Sequence, residues 1–238
     1  MQQKGDNVTN WIEKIPKKFV TKQTKDPTYK NHLIKPNSMI LSVGATGVGK
    51  TNGSVVEFLH RKNGRFFEII IFTGSSSDEV LYNFLASSID GLKLIDDPLE
   101  LPKIEHYKNI ENKDFEKVIV FDDSCQSDKK VLKEIQKWFM MARKLGFTCI
   151  FLSQDYTSTP IFIRRNCHYL QLFKLTDMRD VKNILSKCAL DVDLNTLKNM
   201  LNYATKERGQ FLTIHLAGDV ENKYRKCYNE VLNPNDFK

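Results

Sequence analysis

The chain has 238 residues, a formal net charge of +7 and 41% hydrophobic residues. This length fits one α/β domain, and the apolar fraction suffices for a full core without disulfides or a structural metal. The five cysteines are scattered and never spaced as CxxC, which argues against a zinc site and indicates a reducing compartment. The excess of Lys and Arg suits a polyanionic partner, of which nucleic acid is the commonest.

Residues 1–37 are lysine-rich and interrupted by three prolines. We interpret them as a basic arm with one short helix at Asn10–Ile15. Its aromatic residues are expected to be packing anchors: Trp11, Phe19 and Tyr29. The arm lacks the apolar core of a signal peptide, and no stretch of the chain approaches the ~20 apolar residues of a membrane-spanning helix. The sequence therefore predicts a soluble intracellular protein with no membrane contact.

The next stretch, Met39–Thr51, reads MILSVGATGVGKT. An apolar strand pattern leads into a loop with the spacing GxxxxGK[ST], and a helix-compatible segment follows. This is the pattern of a phosphate-binding loop in its proper strand–loop–helix context. The nucleotide-binding residues that it predicts are Gly44, Ala45, Thr46, Gly47, Val48, Gly49, Lys50, Thr51 and Asn52.

Each residue type in this loop has a chemical reason. Glycines let backbone N–H groups turn inward around phosphate oxygens, and the helix N-terminus adds partial positive charge. Lys50 brings an ammonium group to the outer phosphates, and the Thr51 hydroxyl is a ligand for Mg²⁺. The loop is therefore expected to bind a nucleoside triphosphate such as ATP together with Mg²⁺.

Apolar runs alternate with helical patterns along the rest of the chain. This alternation predicts an α/β fold with an open, mostly parallel central sheet flanked by helices, whose strand C-termini form one functional edge. Strands are expected at Phe67–Thr73, Leu92–Ile95, Lys117–Phe121, Phe147–Leu152, His168–Lys174, Phe211–His215 and, at the sheet edge, Lys223–Leu232. Helices are expected at Asn52–Arg61, from Asp78 with Ser77 as its cap, around the apolar stripe Val131, Ile135, Trp138 and Phe139, and at Met178–Lys187 and Leu194–Ala204.

Three polar residues follow two of these apolar runs. Asp122 and Asp123 come directly after one strand, where Asp122 is placed to hold Mg²⁺ and Asp123 to polarise an attacking water. An alternative role for Asp123 is to cap the next turn. Gln154 follows the next strand, where its amide can contact both the γ-phosphate and the water without adding charge. The acids and the amide together favour hydrolysis.

Hydrolysis also needs positive charge at the transition state, often from an arginine of a neighbouring subunit. Arg143, before the strand that leads to Gln154, is the first candidate for this role. Arg164 and Arg165 are the alternatives. An arginine at a helix C-terminus also complements the helix dipole without any catalytic role.

The strings GATGVGKT, VIVFDD, ARKLGFTCIFLSQ and IRRN together resemble the FtsK/HerA superfamily of DNA-pumping ATPases. Within it, the chain is similar to the compact genome-packaging ATPases of poxviruses, other large DNA viruses and virophages. The resemblance covers about residues 38–175. It implies a P-loop NTPase fold of the additional-strand, RecA-like type, with functional roles for Lys50, Thr51, Asp122, Asp123, Gln154 and Arg143. Asp123 departs from the Glu that many relatives outside the viral branch carry.

The resemblance also implies partners and a setting. It implies a hexameric or pentameric homo-oligomeric ring that threads double-stranded DNA, without reading its sequence, into a capsid, with a capsid vertex protein as a further partner. The expected location is the host cytoplasm, in the viral factory, and the virion. Lys129, Lys130 and the loop 156–165 are candidate DNA contacts, although lysines at a helix start are also often only solvated. The expected organisation is an arm over 1–37 and one ATPase domain over 38–238, with its core at 38–175 and C-terminal helices and strands at 176–238.

Two other readings remain open. A nucleotide kinase or GTPase-like enzyme shares this fold, but the nearest match to a guanine-reading motif, Asn112-Lys113-Asp114, has the wrong spacing and precedes the paired acids. A non-catalytic nucleotide- or DNA-binding protein associated with a capsid is the alternative from another class. The intact pattern Lys50-Thr51 and Asp122-Asp123 argues against such a decayed site.

Overall fold

The computed structural model describes residues 26–74, 80–108, 115–125, 127–216 and 220–238. The strands are β1 Met39–Val43, β2 Glu68–Thr73, β3 Leu92–Ile95, β4 Lys117–Asp122, β5 Phe147–Ser153, β6 Tyr169–Leu172, β7 Leu212–His215, β8 Tyr224–Lys226 and β9 Glu230–Val231. The α-helices are α1 Tyr29–His32, α2 Glu57–Arg61, α3 Val80–Ser88, α4 Lys129–Met141, α5 Ile161–Asn166, α6 Met178–Cys188 and α7 Leu194–Ala204. A π-helical turn at Thr51–Val56 leads into α2, and short 3-10 helices lie at Ile104–Tyr107, Ala142–Leu145, Val220–Asn222 and Pro234–Phe237.

Within the described residues, nine strands form one sheet in the order β3-β2-β4-β5-β1-β6-β7-β8-β9. The pairs from β3 to β6 are parallel, whereas β7, β8 and β9 add antiparallel strands at one side. β1 lies between β5 and β6, so the segment that follows it leaves from the middle of the sheet. The predicted α/β architecture with a mostly parallel sheet is confirmed.

The central strands are buried along their whole length, which explains their unbroken apolar sequences. β1, β4 and β5 have no exposed residue. A parallel strand covered by helices on both faces needs apolar side chains on both faces. The predicted stripe on α4 is confirmed as core, because Val131, Ile135, Trp138 and Phe139 are all buried.

The structure corrects several expected boundaries. The single edge strand predicted at Lys223–Leu232 is instead the β8–β9 hairpin, in which Cys227 turns the chain with φ at 51°. Phe67 precedes β2 and is 57% exposed, so it does not belong to the buried run. The predicted strand Leu92–Ile95 is confirmed, and it is the edge strand at one side of the sheet. The helix predicted at Asn10–Ile15, the anchors Trp11 and Phe19, and the Ser77 cap lie outside the described residues.

The described end of the N-terminal arm is attached by buried charges. Lys62, after α2, donates hydrogen bonds to Asp26 at 2.6 Å and to Glu116, and all three side chains are at most 6% exposed. His32 lies beside the same group, with its Nε2 3.2 Å from Asp26. Among the described helices, none is both long and apolar enough to cross a bilayer.

Candidate nucleotide-binding site

The loop from Gly44 to Thr51 leaves β1 at its carboxyl end and curves over the edge of the sheet. The ammonium nitrogen of Lys50 donates to the carbonyl oxygens of Gly44 at 2.7 Å and Ala45 at 3.0 Å, so it lies inside the curve of the loop. Gly47 and Gly49 have φ values of 80° and 90°, which only glycine adopts readily. The local glycine pattern therefore produces a concave loop with a cation inside it.

The loop continues into an unusual helical turn. Glu57 N–H donates to Asn52 O, the i→i+5 bond of a π-helix. The buried phenol of Tyr228, from the hairpin turn after β8, donates to the carbonyls of Gly53 at 2.8 Å and Ser54 at 3.3 Å. A widened turn leaves carbonyl groups that need donors, and Tyr228 supplies one. The C-terminal hairpin thus supports the helix of the phosphate loop.

Asp122 is the last residue of β4 and is 7% exposed. Its Oδ2 accepts a hydrogen bond from Tyr82 Oη at 2.5 Å, and its Oδ1 accepts one from Asp123 N–H at 2.9 Å. Asp123 has φ at 46° and an exposed side chain. The chain therefore bends sharply at Asp123, so that one carboxylate is held within the edge and the next is presented to solvent.

Gln154 follows β5, which pairs directly with β1. The carbonyl of Ser153 accepts from Gly44 N–H at 3.1 Å, so the backbone before Gln154 is bonded to the start of the phosphate loop. The Ser153 hydroxyl lies 3.2 Å from Cys125 Sγ, after the paired acids. The Gln154 side chain is exposed at this edge. The sequence prediction that the loop, the acids and the amide meet at one edge agrees with this placement.

The electrostatics of the edge are acidic on the side of β4 and β5. Burial raises the pKa of the Cys125 thiol, and the nearby carboxylates of Asp155, Asp123 and Asp122 raise it further. The thiol therefore stays protonated at neutral pH and is a poor nucleophile. Opposite this acidic side lies the cationic loop with Lys50. A divalent cation between the two would match both the carboxylates and a phosphate chain.

The first candidate arginine, Arg143, lies away from this edge. Arg143 precedes β5 and lies near His168, whose Nδ1 accepts from Met39 N–H at the amino end of β1. The five residues of β1 separate that end from the phosphate loop, roughly 16 Å at the rise of a strand. Arg143 is exposed there and does not reach the nucleotide loop of its own subunit.

Arg164 and Arg165 lie on α5, the helix that follows the turn after Gln154. The Arg164 guanidinium carbon is 5.2 Å from the centre of the buried Tyr156 ring. Tyr156 N–H and Thr157 N–H both donate to Asp180 of α6, at 2.8 and 3.0 Å. From the sequence, the segment 156–165 is expected to be one loop that contacts DNA. It is instead a turn that is hydrogen-bonded to α6, followed by the helix α5.

Two site features escape sequence inspection. From the sequence, Tyr82 is predicted only to belong to a helix. No local pattern indicates that its hydroxyl donates to Asp122. The turn at 205–210 carries an exposed Arg208 followed by Gly209, whose N–H donates to Val48 O at 2.8 Å. The only local signal was the Arg-Gly pair in a polar stretch between a helix and a strand.

The residues present fit a nucleotide with Mg²⁺. The loop provides backbone N–H groups and Lys50 for phosphates, and a Cβ at Gly47 would meet no atom within 4 Å, so the outer face of the loop is open. The Thr51 hydroxyl and the Asp122 carboxylate are the oxygen ligands that Mg²⁺ prefers. In the described part of the chain, no group of three or more His, Cys, Asp or Glu side chains is gathered for a metal. The set therefore matches phosphate-bound magnesium better than a protein-enclosed ion.

Comparison with known proteins gives structural neighbours. No family model matches the chain, and no curated protein matches its sequence. The genome-packaging NTPase B204 of Sulfolobus turreted icosahedral virus 2 superposes with a TM-score of 0.56 in its sulfate complex, at 14% identity, over 84% of this chain and 100% of that chain. Its complex with ATP-gammaS gives a TM-score of 0.54 at 13% identity, over 82% and 98% of the two chains.

A second kind of neighbour is a larger protein. EssC (ATPases 2 and 3) of Geobacillus thermodenitrificans superposes with a TM-score of 0.55 at 13% identity, over 83% of this chain and 40% of that chain. At such identities the likeness concerns the fold alone. It agrees with the P-loop NTPase fold that the sequence motifs predict. The chain has the P-loop NTPase fold that is found in a viral genome-packaging NTPase.

Proposed function

We propose that this chain is an ATP-driven motor that translocates double-stranded DNA into a viral capsid by Mg²⁺-dependent hydrolysis of ATP. The observation that carries the proposal is the meeting of three strand ends, β1, β4 and β5, at one edge. They bring together Lys50 and Thr51, the pair Asp122 and Asp123, and Gln154. Together with the B204-like fold, this combination favours hydrolysis coupled to movement.

The proposed chemistry follows from the groups at this edge. Lys50 and the loop N–H groups bind the β- and γ-phosphates, while Thr51 and Asp122 would hold Mg²⁺, which would neutralise charge on those phosphates. The exposed carboxylate of Asp123 accepts a proton from the attacking water. Gln154 orients that water and contacts the γ-phosphate. Loss of the γ-phosphate then changes what Gln154 contacts, which couples hydrolysis to the segment after β5.

A ring is part of the proposal because Arg143, the first candidate for the transition-state arginine, is out of reach of the site in its own subunit. Arg143 lies roughly 16 Å from the phosphate loop of its own subunit by strand length, so it acts only if a neighbour presents it. Arg165, exposed on α5, and Arg164, half-buried against Tyr156, are alternatives. A hexamer or pentamer would place such a residue at each site. The proposed setting is the viral factory in the host cytoplasm and the virion, with a capsid vertex protein as docking partner.

The proposed DNA contact uses the net charge of +7 and no base reading. Lys129 and Lys130, exposed at the start of α4 just after the paired acids, are the candidates that the fold favours. The turn at 156–159 is tied to α6 and offers no comparable cations. Phosphate contacts alone would let the motor move along any sequence.

The test is phosphate release by the purified chain with and without double-stranded DNA. We expect DNA to stimulate hydrolysis, Lys50→Ala to abolish it, and the double variant Lys129→Ala with Lys130→Ala to lose stimulation while keeping the basal rate. Transfer of the γ-phosphate to an added nucleoside would indicate a kinase instead. Packaging that proceeds normally with Lys50→Ala would favour the non-catalytic alternative.

A further inference from the structure

The turn at 205–210, between α7 and β7, lies against the phosphate loop backbone to backbone. Gly209 N–H donates to Val48 O at 2.8 Å. A Cβ at Gly49 would lie 2.9 Å from both the Cα and the N of Gly209, and one at Gly53 would lie 2.5 Å from its O. Three glycines thus allow two chain segments to approach more closely than any side chain would permit.

The turn is held rigidly in this position. Thr205 N–H donates to Leu201 O at 3.0 Å, and Gln210 N–H donates to Glu207 O at 3.2 Å. The Gln210 side-chain amide donates in turn to the Glu207 carboxylate at 3.2 Å. Gly209 has φ at 86°, which fixes the bend. The residue before Gly209 is therefore presented at a defined place beside the loop.

That residue is Arg208. Its Cγ would lie 3.5 Å from a Cβ at Gly49, so the stem of the side chain starts at the phosphate loop. Its side chain is exposed, and among the described residues it forms no ion pair, while the neighbouring Glu207 is engaged by Gln210. The guanidinium group is therefore available to an anion bound in the loop.

The sheet order indicates which end of the nucleotide Arg208 faces. Asp122 follows β4, two strands from β1 on one side, whereas the turn precedes β7, two strands from β1 on the other side. Mg²⁺ held by Asp122 would neutralise charge on the outer phosphates, so the terminal phosphate would lie toward β4. The α-phosphate and the nucleoside then lie toward β7.

From this placement we infer that Arg208 binds the α-phosphate of the nucleotide in its own subunit, and that Arg208 and Gly209 form the wall of the site on the nucleoside side. This inference rests on the proposed function only as far as nucleotide binding. It gives the region beyond residue 175 a direct part in the site. It also assigns a cis arginine that is separate from any arginine contributed by a neighbour.

The test is the dissociation constant of ATP, ADP and inorganic tripolyphosphate, each measured by calorimetry with Mg²⁺ on the full chain. Arg208→Ala is expected to weaken all three about tenfold to a hundredfold, the range for one charge-assisted hydrogen bond. Arg208→Lys is expected to recover part of the loss. Lys206→Ala is the matched control, because Lys206 is exposed in the same turn with its Nζ 5.1 Å from the Tyr203 ring centre. It should bind like the wild type.

Each other outcome has a defined meaning. Binding of all three ligands within twofold of wild type by Arg208→Ala overturns the inference. A loss for ATP and tripolyphosphate but not for ADP places Arg208 at the terminal phosphate, and a loss for the nucleotides but not tripolyphosphate places it at the nucleoside; both overturn the α-phosphate assignment. If wild type and Lys50→Ala bind ATP equally, the nucleotide site itself is wrong. Failure of DNA stimulation with an intact Arg208 effect refutes only the motor.

Discussion

The phenol of Tyr82 donates a hydrogen bond to Oδ2 of Asp122, with 2.5 Å between the two oxygens. Tyr82 is fully buried on α3, and Asp122 ends β4 beneath it. The other oxygen of Asp122 accepts from Asp123 N–H. The carboxylate assigned to Mg²⁺ is therefore oriented from both ends, by a helix across the sheet edge and by its own backbone.

Removing the Tyr82 hydroxyl should weaken magnesium use. In Tyr82→Phe the ring stays and the donor to Asp122 is lost. Because loss of an outer-shell partner typically costs 10–100-fold in metal affinity, we expect the Mg²⁺ concentration for half-maximal hydrolysis to rise about tenfold. A magnesium titration of ATP hydrolysis at saturating ATP measures this shift.

Tyr107→Phe is the matched control for that experiment. Tyr107 is also a buried tyrosine whose hydroxyl donates to a carboxylate, that of Glu68 at 3.2 Å, but Glu68 begins β2 at the opposite edge of the sheet. Both variants should lose about 1 kcal/mol of stability from a lost hydrogen bond. Only the Tyr82 variant should shift the magnesium curve; an equal shift in both would show that the effect is one of folding.

Gly74 sets the position of the paired acids. A Cβ there would lie 2.3 Å from the carbonyl oxygen of Asp123, a clash with backbone that no rotamer relieves. Gly74→Ala should therefore displace Asp123 and lower the rate of hydrolysis at least tenfold, while ATP binding through Lys50 changes less. Gly91→Ala is the control, because Gly91 has φ at 78° but no atom within 4 Å of its Cβ position. It should cost about 1 kcal/mol of stability from backbone strain and leave the rate unchanged.

The buried Lys62 should dominate the stability of the described arm. Lys62→Met leaves the carboxylates of Asp26 and Glu116 buried without their cation, which should lower the free energy of unfolding by about 3–5 kcal/mol. Lys93→Met removes the cation of the pair with Glu68, but Lys93 is 57% exposed, so its loss should be within about 1 kcal/mol. Urea unfolding of both variants measures the difference. Similar losses would show that the Lys62 cluster is not buried.

Stability should fall between pH 6.5 and pH 4 because of His32. Burial, with the nearby Lys62 cation, lowers the pKa of His32 to about 4 from its ordinary value of 6.5. Between pH 6.5 and pH 4, His32 is protonated in the unfolded chain but stays neutral in the folded chain. Protonation of His32 therefore favours unfolding. Between pH 7 and pH 5 this should remove about 2 kcal/mol. Since His32→Gln cannot titrate, it should lose less over that interval in urea unfolding; equal losses would contradict the assignment.

Asp26 belongs to the same buried cluster and affects the stability of the protein at lower pH than His32 does. Burial alone would raise the pKa of Asp26, but hydrogen bonds from Lys62 and Thr28 outweigh it and lower the pKa to about 2. Because the unfolded pKa is 3.8, the stability that Asp26 contributes is complete above pH 4 and is lost as the pH falls toward 2. Asp26→Asn should flatten the unfolding curve in that range without changing the step that His32 causes. A wild-type slope in the variant below pH 4 would assign the acid step to another carboxyl.

The sequence by itself was enough for the buried parallel strands and for the polar residues at their ends. Unbroken apolar runs predicted the buried parallel strands within one or two residues, because a strand covered on both faces tolerates little else. The glycine spacing before Lys50 and the polar residues after β4 and β5 predicted the site, since a parallel sheet gathers its carboxyl ends at one edge. These signals are local, so a linear reading detects them.

Only the tertiary structure decided which distant residues complete the site. Tyr82 meets Asp122 across 40 positions, and Tyr228 meets Gly53 across 175. Arg208 reaches the phosphate loop from a turn that carries no motif, and Arg143, taken from its place along the chain, lies at the opposite edge. Contacts of this kind depend on the order of strands in the sheet and on the direction in which each helix returns. Hydrophobic periodicity marks which face is buried but does not encode the neighbour that it is buried against.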